Sequence, residues 1–177
     1  GTVHFASDAV EATAIFLELA RAKAARLIVK GKSMVSEEIE LNRALERDGR
    51  RAVETDLGEW IVQLAHETPS HLVMPAIHLN RARIQELFER EGGERLAPDT
   101  ATLAGFARRK LRQAFREADM GMTGCNFALA DTGSVALFTN EGNGRMVSTL
   151  PRTHVVLMGM ERILPSWDDL EVMANVL

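Results

Sequence analysis

The chain has 177 residues, 46% hydrophobic and 26% charged, which suits one domain of ordinary size with a substantial core and excludes a disordered chain. Its formal charge of −4 leaves no basic footprint, so neither nucleic acid nor an anionic membrane surface is an expected partner. The one cysteine, Cys125, excludes an internal disulfide, and one thiolate holds neither an iron–sulfur cluster nor a structural zinc ion.

Residues 3–6 read as a strand, without the charged-then-apolar order of a secretion signal. A helix is expected over 8–25, with Asp8 and Glu11 as its N-terminal cap pair. Residues 26–30 form a short buried strand, and Lys-Gly-Lys-Ser-Met leads from it into a helix over 36–48. Glu37 and Glu38 lie in the first turn of that helix, and Gly49 ends it. A strand at 51–54 precedes a helix at 57–66, then a strand at 71–74 precedes a helix at 80–91. A long helix covers 100–118. The one dense basic cluster, Arg108-Arg-Lys110 with Arg112 and Arg116, reads as its solvated face.

After this helix the pattern changes. Between Asp119 and Arg145, apolar runs alternate with the loops Thr123-Gly-Cys-Asn126, Asp131-Thr-Gly-Ser134 and Asn140-Glu-Gly-Asn-Gly-Arg145. Glycine allows sharp turns and close approach to a ligand, while Asn, Thr and Ser offer short hydrogen-bonding groups. Such loops suit a small carboxylate or a phosphate-like ligand. A hairpin pairs 127–130 with 135–139, a strand follows at 154–158, and Ser166 and Asp169 have capping-box spacing for a last helix. Strands alternating with helices through residue 118 require crossovers and a parallel sheet, to which the hairpin adds antiparallel strands. The fold is therefore α/β, a mixed, mostly parallel sheet flanked by helices. No apolar run approaches the length of a membrane span, and a reducing cytoplasm is the expected location.

Each chemical motif has a plain alternative. Gly31-Lys-Ser33 follows a strand and precedes a helix, but a phosphate-binding P-loop needs a glycine where Arg26 stands. Lys32 and Ser33 nonetheless sit where the ligand crevice of an open α/β sheet lies, unless they form only a polar turn. Phe127-Ala-Leu-Ala-Asp-Thr-Gly-Ser134 matches half of an aspartic protease site, yet that chemistry needs two aspartates in an all-β fold. Asp131-Thr-Gly133 is read as a hairpin turn with glycine in a left-handed position. Glu38 and Asn42 share a helix face and point into a cleft or lie at a solvated boundary. Asp56 and Glu59 fit a helix cap, at a strand end that keeps a site role open. His71, His78 and His154 are dispersed and no metal is assigned. Cys125 lies in a glycine-rich turn with no base evident beside it. Glu141 is the best single catalytic candidate, a carboxylate among glycine N–H groups with Arg145 behind it, the alternative being a charged tight turn.

Several stretches together resemble the lactate-utilisation protein B family, which carries an LUD domain ahead of an iron–sulfur ferredoxin-like region. They are Val29-Lys-Gly-Lys-Ser-Met-Val-Ser-Glu-Glu-Ile-Glu-Leu-Asn42, Glu54-Thr-Asp-Leu-Gly-Glu-Trp-Ile-Val-Gln-Leu64, Pro69-Ser-His71 with Pro75-Ala-Ile-His78, and residues 121–159. The resemblance implies a fold like the NagB/RpiA/CoA-transferase superfamily, which includes sugar-phosphate isomerases. It also implies a cytoplasmic role in oxidising L-lactate to pyruvate, with companion lactate-utilisation proteins and electron transfer through iron–sulfur clusters. The cysteine-rich region for those clusters does not occur in the sequence, so 177 residues read as one LUD-type domain cut from a longer protein, with no cofactor of its own. The motif positions carried over as a ligand pocket are Lys32, Ser33, Glu38, Asn42, Thr123, Asn126, Thr132, Gly133, Asn140, Glu141, Gly142, Asn143 and Arg145. Two other functions stay open: acyl or phosphoryl transfer with Glu141 as nucleophile, and a module that only docks proteins.

Overall fold

The computed structural model describes residues 1–71, 73–139 and 141–177. The first helix, α1 (Ala9–Ala22), is capped by the Asp8 carboxylate, which accepts from the Glu11 N–H. Strand β1 (Leu27–Lys30) enters the sheet centre, and α2 (Met34–Glu38), α3 (Leu41–Arg47), β2 (Arg51–Glu54) and α4 (Leu57–Ala65) follow. Then come α5 (Arg81–Gly92), α6 (Thr100–Glu117), β3 (Met120–Thr123), β4 (Phe127–Leu129) and β5 (Ser134–Ala136). The chain continues through α7 (Asn143–Thr149), β6 (Thr153–Val156), a 3-10 turn at Met160–Arg162, β7 (Ile163–Leu164) and α8 (Trp167–Ala174).

Strands β2, β1, β3 and β6 lie side by side in that order, every pair parallel. Alternation along each strand sends side chains to opposite faces. Ile28, Ala52, Met120 and Met122 pack with Phe16 of α1 and Leu41 and Leu45 of α3 on one face. Val53 packs on the other with Trp60 of α4, Leu87 and Phe88 of α5, and Phe106 of α6. The rings of Trp60, Phe88 and Phe106 lie 5.1–6.4 Å apart, a geometry worth roughly 0.5–1.5 kcal/mol per pair beyond area burial. The result is a parallel sheet between two helical layers.

The hairpin stands apart from this sheet. Its strands β4 and β5 are antiparallel, β7 joins β4 in parallel, and the three make a second small sheet covered by Leu170 of α8. Gly133 takes the left-handed conformation in the turn, at φ 64°. Ser166 and Asp169 form the capping box of α8. The basic cluster of α6 is a solvated face, where Arg109 pairs with Glu94 at 3.0 Å.

Four sequence expectations are corrected. Residues 3–6 form no strand: they find no ladder partner, and Val3 and Phe5 lie open to solvent. Residues 71, 73 and 74 form no strand: 71 and 73 are bends, and the His71 ring accepts from the Val73 and Met74 N–H groups; Leu72 lies outside the described residues. The helix expected over 36–48 is two helices. Glu40 is left-handed at φ 52°, and the bend sends Leu41 and Leu45 into the core. Finally, the last glycine-rich loop opens into α7, whose Gly142 cap lacks the side-chain acceptor that marks a helix start in sequence.

Candidate functional site

In a parallel sheet all strands end at one edge, so the loops after β1, β2, β3 and β6 converge there. The chain runs from β1 outward to β2, then returns across to β3 on the other side of β1. Where the direction of winding reverses, the loops after β1 and β3 diverge and leave a crevice. A cleft of about 350 Å³ occupies this place. Gly31, Lys32 and Ser33 line it after β1, Asp56 after β2, Thr123 to Asn126 after β3, and Leu157 to Gly159 after β6. Leu137, Phe138, Thr139, Glu141, Asn143 and Gly144 close one wall, and Arg162 reaches in from the 3-10 turn.

Close backbone packing shapes this wall. A Cβ on Gly121 of β3 would stand 2.0 Å from the Val147 carbonyl oxygen, so only glycine lets α7 lie against the strand. That contact brings the start of α7, with Asn143, over the strand ends; the Asn143 amide stands 3.5 Å from the Thr55 hydroxyl. Thr55 in turn donates to the Lys30 carbonyl at 2.6 Å.

Beneath the cleft lies a buried polar layer. Lys30 and Glu54 end adjacent strands and pair at 2.6 Å, and the Asn42 side chain donates to the same Glu54 oxygen at 2.8 Å. The Asn42 carbonyl oxygen is buried with no hydrogen-bond partner among the described residues. On the cleft wall, Lys32 pairs with Glu59 at 3.3 Å. Burial pushes the Glu59 carboxyl above its ordinary range, and the nearby Glu37 charge adds to this. Asp56 caps α4, accepting from the Gly58 and Glu59 N–H groups at 3.0 and 3.2 Å. Glu141 and Asp56 both line the cleft; burial first, then the nearby Asp56 charge, pushes the Glu141 carboxyl above its ordinary range. Cys125 lies against Met158, with 3.2 Å between the sulfurs, and burial pushes its thiol up.

Of the residues singled out by sequence, Lys32, Ser33, Thr123, Asn126, Glu141 and Asn143 line this one cleft. Ser33 caps α2, Thr123 hydrogen-bonds His154 at 2.8 Å, and Asn126 holds the Phe138 N–H at 2.9 Å, so each also supports the wall. Asn42 lies in the layer below, and Gly142 caps α7. Glu38 is exposed on α2, Thr132 and Gly133 are exposed in the hairpin turn, and Arg145 is exposed on α7; none of them lines the cleft. Asn140 lies outside the described residues. Arg162 is a lining residue that sequence reasoning missed, because it follows β6 by a short turn with no motif of its own.

The donor set does not fit an iron–sulfur cluster. The sequence has one cysteine, and among the described residues no group of three His, Cys, Asp or Glu side chains converges to hold a metal ion.

A parallel sheet between helical layers, with a polar cleft at its switch point, defines an open-sheet α/β domain. The chain belongs to the LUD domain family, which it matches over residues 1–177. It is 52% identical over its whole length to lactate utilization protein B of Bacillus licheniformis, 50% to that of Oceanobacillus iheyensis and 51% to that of Bacillus subtilis. It spans 37% of the length of each of these relatives. No solved structure matches the chain.

Proposed function

We propose that this chain is the LUD part of a lactate-utilisation protein, and that it binds a small polar ligand in the cleft between the loops after β1 and β3. The observation that carries this reading is identity of 50–52% to lactate utilization protein B along the whole chain. In the full-length protein, the reading is a cytoplasmic one: oxidation of L-lactate to pyruvate with companion lactate-utilisation proteins. Electrons pass through iron–sulfur clusters held outside these residues, since one cysteine cannot hold them. The layered α/β fold is compatible with a NagB/RpiA/CoA-transferase-like ancestry.

The test is an anaerobic preparation of the full-length protein with its companions. Iron in the protein and reduction of an artificial acceptor on adding L-lactate support the proposal. Iron-free protein, or reduction indifferent to L-lactate, overturns it.

A second reading is acyl or phosphoryl transfer with Glu141 as nucleophile, favoured by the placement of Glu141 on the cleft wall. Burial and the neighbouring Asp56 charge weigh against it, because both favour the neutral form of Glu141 and the carboxylate is the nucleophile. An acyl adduct on Glu141 after incubation with an acyl-CoA, seen by mass spectrometry, would establish this reading. A protein that binds no small molecule would instead favour a docking module.

A further inference from the structure

A second cavity, of about 260 Å³, lies along the free edge of β2 and shares no lining residue with the cleft. It straddles the sheet edge. Glu46 reaches it from α3, in one helical layer, while Trp60 of α4 and Leu87 and Arg90 of α5 reach it from the other. Gln63 already occupies the Ala52 carbonyl and the Glu54 N–H, so an incoming strand finds these edge groups taken. Pockets for drug-sized ligands begin at about 300 Å³, and this one suits a smaller molecule.

Its lining leaves specific groups unmatched. Val53, Trp60 and Leu87 make an apolar floor. Trp60 is only 3% exposed, yet its indole N–H meets no acceptor among the described residues. Nor is that N–H sealed from water, since the Asn42 oxygen is the only sealed and unpartnered side-chain atom among them. The cavity is therefore the way to it. Among the charges, Arg51 pairs with Glu91 at 3.5 Å. Arg90 is held by the Leu64 carbonyl without an acidic partner among the described residues, and Glu46 has no basic one. One guanidinium and one carboxylate are left over, exposed on opposite walls.

These groups together define a ligand. A carboxylate accepts from the Arg90 guanidinium and the Trp60 N–H, which come from the same helical layer. An ammonium donates to Glu46 across the sheet edge. A simple acid leaves Glu46 unmatched, a simple amine leaves Arg90 and the indole unmatched, and a sugar meets the apolar floor with hydroxyls. We propose that this cavity binds a free apolar α-amino acid. Its carboxylate lies on Arg90 and Trp60, its ammonium on Glu46 and its side chain on Val53 and Leu87. The site is independent of the cleft and of the lactate-utilisation reading, so neither falls with the other.

Trp60 is one of two tryptophans, and the other, Trp167, lies half exposed on α8. In Trp167→Phe the Trp60 indole alone supplies the tryptophan emission and the indole N–H resonance. Titration of that variant with L-leucine, glycine, 4-methylpentanoate and 3-methylbutylamine tests the proposal. The last two are leucine without its ammonium and leucine without its carboxylate. L-leucine should change the Trp60 emission saturably and move the indole N–H resonance downfield. Each of the other three should bind about 10- to 100-fold more weakly, through a lost charged contact or a lost apolar side chain. Arg90→Gln should remove most of the advantage of L-leucine over 3-methylbutylamine, and Glu46→Gln most of its advantage over 4-methylpentanoate. Both positions are exposed, so the variants should keep native circular dichroism. No saturable change at Trp60 in folded protein, equal affinities for L-leucine and either truncated analogue, or full selectivity retained in both variants would each overturn the proposal.

Discussion

Lys30 and Glu54 are register partners at the carboxyl ends of two adjacent parallel strands, and their charged groups stand 2.6 Å apart under the cleft floor. Both side chains are almost wholly removed from water, at 1% and 9% exposure. Both point to the α1/α3 face, where Asn42 adds a second donor to Glu54. A desolvated pair like this contributes little net stability as a unit, but each member makes the other tolerable.

Lys30→Met should therefore cost about 3–5 kcal/mol by leaving the Glu54 carboxylate buried without its ammonium. The double variant Lys30→Met/Glu54→Leu should recover most of that loss. Urea denaturation of the parent, the single variants and the double variant gives the coupling directly, and additive losses would show that the two groups act independently.

Gly121→Ala should destabilise by about 1–3 kcal/mol or more, since the new Cβ would sit 2.0 Å from the Val147 carbonyl and α7 would have to move. Because α7 carries Asn143 onto the cleft wall, the same variant should weaken ligand binding. A thermal melt and a binding titration on one preparation separate the two effects.

Gln63 protects the outer edge of β2. Its side-chain amide donates to the Ala52 carbonyl at 2.9 Å and accepts from the Glu54 N–H at 3.1 Å, imitating a neighbouring strand. Gln63→Ala should cost about 1–3 kcal/mol through two backbone groups left without partners. An exposed edge also invites strand pairing between molecules. Light scattering of the variant should show association with increasing concentration, and a strictly monodisperse variant would argue against this role.

Two carboxyl groups should give opposite pH slopes. Asp119 accepts from the Leu27 and Arg26 N–H groups, which hold its carboxyl below the ordinary Asp range. Its contribution is present above the unfolded-state pKa and is lost as pH falls through the folded one. Glu59 is raised by burial, so the folded state binds more protons than the unfolded one between the two pKa values, and stability falls as pH rises through that window. Asp119→Asn should reduce the acid-side loss of melting temperature, whereas Glu59→Gln should reduce the decline toward neutral pH. Melting curves recorded over the acid-to-neutral range distinguish the two signs.

The sequence by itself determined the elements whose local signals agree with their burial. Strands β1 and β2 appear as short apolar runs, α6 as a long amphipathic pattern with Asp99 at its start, and α8 through its Ser166–Asp169 capping box. The loops that end parallel strands are legible for the same reason, and Lys32, Ser33, Thr123 and Asn126 in them line the cleft. Tertiary structure decided the rest. Residues 3–6 have strand-like composition but no ladder to join, and Glu40 turns left-handed between Ile39 and Leu41, both of which pack on the core with Leu45. That Asp56 and Glu141 line one cleft depends on α7 packing closely against Gly121, a contact between positions far apart in the chain. Capping and periodicity act within a few residues and leave a sequence trace. The convergence of strand ends on one cleft is set by the order β2-β1-β3-β6, which no local pattern encodes.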